Sequence, residues 1–133
     1  MDGLLLGGMS VLVVEDHSDS RDAYALSLSQ LGAAVTVASD AMDAHALLRN
    51  GLRPSLILSD FHMPGMDGIA FLSSVREELG LKVPLVAITG DVMAAERLLG
   101  AGFDACLVKP VPARAVAEAI ARVLQRVSGT PIA

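Results

Sequence analysis

Five short aliphatic runs constrain this chain more than any other feature: Val11-Leu12-Val13-Val14, Val35-Thr36-Val37-Ala38, Leu56-Ile57-Leu58-Ser59, Leu85-Val86-Ala87-Ile88 and Ala105-Cys106-Leu107-Val108. None alternates apolar and polar residues as a half-exposed strand would, so each reads as a strand covered on both faces. The segments between them carry helical signals. The first has Ser18, Asp19 and Ser20 as cap candidates, runs to about Leu31 with Tyr24, Leu28 and Leu31 on one face, and stops at Gly32. The second covers Asp40 to Asn50, with Ala41, Ala44, Leu47 and Leu48 facing inward and Gly51 terminating it. A third runs from Gly68 to Leu79, with Asp67 as its N-cap and Gly80 as its stop. A fourth spans Val92 to Leu99, closed by Gly100 and Gly102, and the last runs from about Ala113 to Val127. In that last helix Val116, Ala119, Ile120, Val123, Leu124 and Val127 form a core-facing stripe. Strand and helix alternating five times predict right-handed crossovers and an α/β fold, a doubly wound five-stranded parallel sheet of order 2-1-3-4-5.

That order places the ends of strands 1, 3, 4 and 5 side by side, beside the switch point where such sheets bind ligands. Strand 1 ends in Glu15-Asp16, strand 3 in Asp60, strand 4 in Thr89 and strand 5 in Lys109. After Asp60, Pro64 lacks a backbone donor and Gly65 and Gly68 permit a tight turn, so the strand stops there. Each residue alone has an ordinary explanation: a turn hydroxyl, a surface charge, helix-dipole partners. Four such residues at four adjacent strand ends point instead to one shared site. Carboxylates crowded together repel one another unless a cation intervenes. Oxygen-only ligands in small number suit Mg²⁺, which keeps several of its waters. A metal, a lysine and a hydroxyl together receive a phosphoryl group, and a carboxylate can act as its nucleophile. Asp60, the central one, is the candidate acceptor. Glu15 and Asp16 would hold the metal, Lys109 would neutralise a phosphoryl oxygen, and Thr89 would hydrogen-bond another.

Composition narrows the class further. At 133 residues the chain fits one domain. Although 53% of residues are hydrophobic, no apolar run approaches the roughly 18 to 20 residues of a membrane span. Residues 1–8 lack a basic region and make a poor signal peptide, so a cytoplasmic location is expected. A net charge of −5, scattered Lys and Arg, no Trp and one Tyr argue against a nucleic-acid surface. The single cysteine, Cys106, excludes an internal disulfide and a cysteine-based zinc site. The expected domain is 9–127, with loose flanks at 1–8 and 128–133.

The motifs Val13-Val14-Glu15-Asp16, Asp60 followed by Met63-Pro64-Gly65-Met66-Asp67-Gly68, Thr89-Gly90 and Lys109-Pro110 resemble those of the receiver domains of two-component response regulators. The resemblance runs from about Val11 to Val127, and the fold is then the flavodoxin-like (βα)5 arrangement. It implies that Asp60 accepts phosphate from a histidine kinase or phosphotransfer protein with Mg²⁺ required. It further implies that the His62 backbone carbonyl ligates the metal, that the Lys109-Pro110 bond is cis, and that phosphorylation switches binding of a downstream protein partner. The Leu6-Gly7-Gly8-Met9-Ser10-Val11 junction and the Gly102 to Pro110 segment resemble hybrid histidine kinases, so the chain is expected to be a piece of such a kinase or a stand-alone receiver. No effector domain is expected after Val127. Two positions depart from the family: Cys106 stands where an aromatic residue is frequent, and His62 replaces a more usual polar or aliphatic residue. His62 and Asp91 are expected to flank the path of a water attacking the phosphoryl group. Cys106 is too small to act as a strand-5 switch.

An enzyme that also forms an aspartyl phosphate, a phosphohydrolase of the haloacid-dehalogenase type, is the main rival. It needs a second acid two residues after the nucleophile, where this chain has His62. A flavodoxin-like flavin binder would need a Ser/Thr/Gly-rich loop after strand 1, where Asp16 would repel the phosphate. A purely structural pseudo-receiver is disfavoured because every acceptor-site residue is present. The expected activity is therefore self-phosphorylation and slow dephosphorylation, not enzymatic turnover.

Overall fold

The structure, a computed structural model, describes residues 4–62 and 65–128. Met63 and Pro64, and with them the reading of Pro64 as a strand terminator, lie outside the described residues, as do 1–3 and 129–133. Five strands, β1 (Ser10–Val14), β2 (Ala34–Ala38), β3 (Leu56–Asp60), β4 (Leu85–Thr89) and β5 (Ala105–Val108), form one parallel sheet in the order β2-β1-β3-β4-β5. The helices are α1 (Ser18–Gln30), α2 (Ala41–Arg49), α3 (Gly68–Ser73), α4 (Val92–Ala101) and α5 (Ala113–Ser128).

Each strand feeds two cores, because successive side chains leave a strand on opposite faces. Leu12, Val14, Ile57, Leu85 and Ala87 pack with Ala41, Ala44 and Leu48 of α2, Phe71 and Leu72 of α3, and Ala94 and Leu98 of α4. Val11, Val13, Leu56, Leu58, Val86 and Ile88 pack on the other face with Leu28 of α1 and Val116, Ile120 and Val123 of α5. The unalternated aliphatic runs are thus the signature of a sheet with helices on both sides.

Local details depart from the sequence reading in five places. The α1 cap is His17, not Ser18, Asp19 or Ser20: His17 is extended, and its Nδ1 accepts from the Ser20 backbone N–H at 3.4 Å. An unprotonated imidazole nitrogen serves as a cap acceptor just as a hydroxyl does. After α3 the chain continues as one π-helical turn, Ser74–Glu78, with Leu79 N–H bonded to Ser74 O at 3.0 Å. Gly100 lies within α4, which ends at Gly102 with φ +123°, because only the latter adopts the left-handed conformation that terminates a helix. Val127 is 53% exposed, bordering an open groove with Leu5, Leu6 and Met9 instead of the sheet.

The largest departure is at the start of the chain. The expectation of a loose first eight residues fails at Leu6, which is fully buried in the α1–α5 core and donates its N–H to Leu31 O at 2.7 Å. Gly32 makes room for this segment: its φ is +101°, and a Cβ there would meet Gly7 backbone atoms and Leu4 Cβ at 3.0 Å. No described helix is long and apolar enough to cross a membrane.

Candidate functional site

The ladder that builds the sheet also aims the site. Beyond β1, Glu15 N–H still bonds Ala38 O of β2 at 3.1 Å, so the strand delivers Glu15 and Asp16 at its carboxyl end. Asp60 closes β3 opposite Ile88 of β4, and the next N–H, that of Phe61, bonds Ile88 O at 2.9 Å. Thr89 closes β4 and accepts on its carbonyl from the Lys109 N–H at 2.7 Å, fixing the first residue beyond β5. The Lys109-Pro110 peptide is cis. Four adjacent strand ends thus put Glu15, Asp16, Asp60, Thr89 and Lys109 on one edge of the sheet.

There the three acids form a cluster whose ligand oxygens lie within 4.8 Å of one another. Glu15 and Asp60 are buried, at 2% and 7% exposure, and Asp16 is exposed. The Lys109 ammonium straddles the two buried acids, 3.9 Å from Glu15 Oε1 and 3.8 Å from Asp60 Oδ2. The His17 N–H donates to Glu15 Oε2 at 3.1 Å and the His62 N–H to Asp60 Oδ1 at 3.3 Å. These contacts do not satisfy the cluster. Burial, reinforced by the Asp60 carboxylate, pushes the Glu15 carboxyl from an ordinary 4.5 up to about 7, against the pull of the His17 N–H and Lys109. Three acids facing one ammonium call for more positive charge, and an all-oxygen donor set open on the Asp16 side fits a hard ion such as Mg²⁺.

The flanking residues are committed in ways the sequence left open. The Thr89 side chain is buried, and its Oγ1 accepts from the Asp91 N–H at 3.1 Å. The Asp91 carboxylate caps α4 by accepting from the Met93 N–H at 2.9 Å, and among the described residues it makes no ion pair with His62. The exposed His62 ring instead stands edge-on to Phe61, centroids 4.6 Å apart. Phe61 is wedged against the backbone at Gly68, where a Cβ would come within 2.7 Å of its ring. Cys106 is half-buried against the α2–α4 core, and burial raises its thiol pKa.

Two residues of α1 bear on the site without having been read from the sequence as part of it. Arg21 Nη1 donates to the Glu15 carbonyl at 3.0 Å. The Tyr24 phenol is pushed up by burial and then by the charges of Glu15 and Asp60. One signal existed for Arg21: it lies one turn inside the helix that follows the acid pair. Tyr24 reads from sequence only as a core-facing residue.

A sequence model of the response regulator receiver domain matches residues 11–121. The chain is 38% identical over 125 residues to the sensor histidine kinase RcsC of Salmonella typhi, covering 92% of this chain and 13% of that kinase. It is 41% identical over 109 residues to an uncharacterized 14.6 kDa protein of Leptolyngbya boryana, covering 80% of this chain and 82% of the other. Among solved structures, the signal receiver domain of a signal transduction histidine kinase from Syntrophus aciditrophicus superposes with a TM-score of 0.81 at 27% identity, covering 95% of this chain and 97% of that one.

Proposed function

Since the chain belongs to the response regulator receiver domain family, we propose that it carries its signal as a phosphoryl group on Asp60, taken with Mg²⁺ from a histidine kinase or a histidine phosphotransfer protein. An Asp60 carboxylate oxygen attacks phosphorus in line with the donor's P–N bond. A P–O bond forms as the P–N bond breaks, and the donor imidazole leaves with the electron pair and takes up a proton. Lys109, already 3.8 Å from Asp60, neutralises a phosphoryl oxygen. The Thr89 oxygen accepts from Asp91, which leaves its own O–H free to donate to another phosphoryl oxygen. Glu15, Asp16, Asp60 and the His62 backbone carbonyl would hold Mg²⁺, which when bound supplies positive charge against the phosphoryl oxygens.

The observation that carries this reading is the convergence of the acid cluster and Lys109 on Asp60. The haloacid-dehalogenase alternative finds no support: the receiver family matches 111 residues of the chain, counting from 11 to 121, and position 62 is histidine. The likeness to RcsC over 92% of this chain supports a receiver of the hybrid-kinase type, although the chain spans only 13% of that protein. We assign the receiver unit to 9–127, with Leu6 ahead of it packed into its α1–α5 core, working in the cytoplasm, with phosphorylation changing the affinity for a downstream protein partner. It labels itself once and loses the label slowly instead of turning over substrate. Acetyl phosphate with Mg²⁺ should add one phosphoryl group by intact mass, and both EDTA and Asp60→Asn should abolish it. Full labelling of Asp60→Asn, or undiminished labelling in EDTA, would overturn the assignment.

A further inference from the structure

Among the described residues, Asp16 is the one member of the acid cluster with no side-chain bond of its own. Glu15 is fixed by the His17 N–H and Lys109, and Asp60 by the His62 N–H and Lys109. Asp16 makes no hydrogen bond or ion pair among the described residues, and its carboxylate is exposed. Its placement therefore depends on the backbone that carries it, and above all on the Glu15–Asp16 peptide. The nitrogen of Glu15 is tied to β2 through Ala38 O at 3.1 Å. The carbonyl of Glu15, which is half of the peptide joining it to Asp16, is held by Arg21 Nη1 at 3.0 Å. Arg21 reaches back across the first turn of α1, is half-buried, and makes no ion pair among the described residues.

We propose that Arg21 is a positioning residue for cation binding: by clamping the Glu15–Asp16 peptide, it sets where the Asp16 carboxylate points. The inference rests on the reading above that Glu15, Asp16 and Asp60 hold Mg²⁺. Arg21 acts here in two opposed ways. Its charge beside an acidic site repels a cation, so removing the charge alone would tighten Mg²⁺ binding. Its hydrogen bond orders the peptide that carries a ligand, so removing the bond loosens the ligand and weakens binding. An arginine retained only as a surface charge and an arginine that positions Asp16 therefore predict changes of opposite sign.

Free Mn²⁺ counted by electron paramagnetic resonance, with Mg²⁺ as competitor, reads the affinity without reference to phosphorylation. Arg21→Met, which keeps stem length and loses donor and charge, should bind about tenfold more weakly than the parent. Arg21→Lys, which can still donate to the carbonyl, should recover part of the loss. In a double-mutant cycle, Arg21→Met should cost little once Asp16 is Asn, because the residue it positions is gone. Circular dichroism checks folding of each variant, and Arg21→Ala repeats the measurement should Arg21→Met fail to fold. Binding in Arg21→Met equal to or tighter than the parent, or a loss that adds in full to that of Asp16→Asn, overturns the proposal. A parent chain that binds neither ion overturns the metal reading itself, and this inference with it.

Discussion

Glu15 is the residue whose chemistry the fold alters most. Its carboxyl sits at about 7 in the folded chain against an ordinary 4.5, through burial first and Asp60 second. A folded pKa above the unfolded one means that the native state holds the extra proton between those values. Native stability is therefore greatest below pH 4.5 as far as this group is concerned, falls as pH rises through the window up to about 7, and levels off above it. With Glu15 only 2% exposed, the metal-free protein should lose about 3 kcal/mol from this group across the window. Urea unfolding in EDTA at pH 5 and pH 8 measures the loss. Glu15→Gln should flatten the difference, and Mg²⁺ should restore stability at pH 8. An unchanged pH slope in Glu15→Gln would show that the burden lies elsewhere.

At the scale of elements, the turn between β4 and α4 is the part best placed to respond to phosphate on Asp60. Thr89 Oγ1 holds the Asp91 N–H, and the Asp91 carboxylate holds the Met93 N–H, so one hydroxyl starts a chain of two bonds that ends in the helix cap. Were that hydroxyl drawn toward a phosphoryl oxygen, a stronger acceptor than water, the first bond would be strained and the start of α4 would loosen. β5 is tied differently, by its ladder to β4 and by the Lys109 N–H to Thr89 O at 2.7 Å. Cys106 is half-buried and small, with little bulk to fill a space that Thr89 would vacate. Backbone amide shifts on adding beryllofluoride, which mimics the phosphoryl group, should concentrate at Thr89 to Met93 and stay small from Ala105 to Val108. Large β5 shifts that vanish in Cys106→Ala would make the cysteine a working part of the switch.

For the molecule as a whole, the described residues ahead of β1, 4–9, belong to the fold through Leu6. Leu6 is fully buried between α1 and α5, and its N–H bonds the end of α1. Leu6→Ala should cost about 2–5 kcal/mol, the range for emptying a buried leucine site. Thermal or urea denaturation measures it. A loss under about 0.5 kcal/mol, within the range of an ordinary surface substitution, would return the segment to the status of a loose lead-in.

Sequence alone determined the sheet. Unalternated aliphatic runs are demanded by burial on both faces, and the crossover rule with five alternations leaves few orders to choose from. The strand-end residues Glu15, Asp16, Asp60, Thr89 and Lys109 were legible for the same reason, since strand order converts separations of many residues into adjacency. Tertiary structure decided what depends on contacts the local pattern does not encode. Leu6 is the last of three leucines, Leu4-Leu5-Leu6, and nothing local marks it out from the other two until α1 and α5 close around it. The π turn at Ser74–Glu78 sits in a stretch whose spacing reads as ordinary helix. His17 caps α1 because its backbone is extended where the preferred hydroxyl residues are already helical. Arg21 reads as any helix cation, since a hydrogen bond to a backbone carbonyl leaves no mark on the identity of the residue that accepts it.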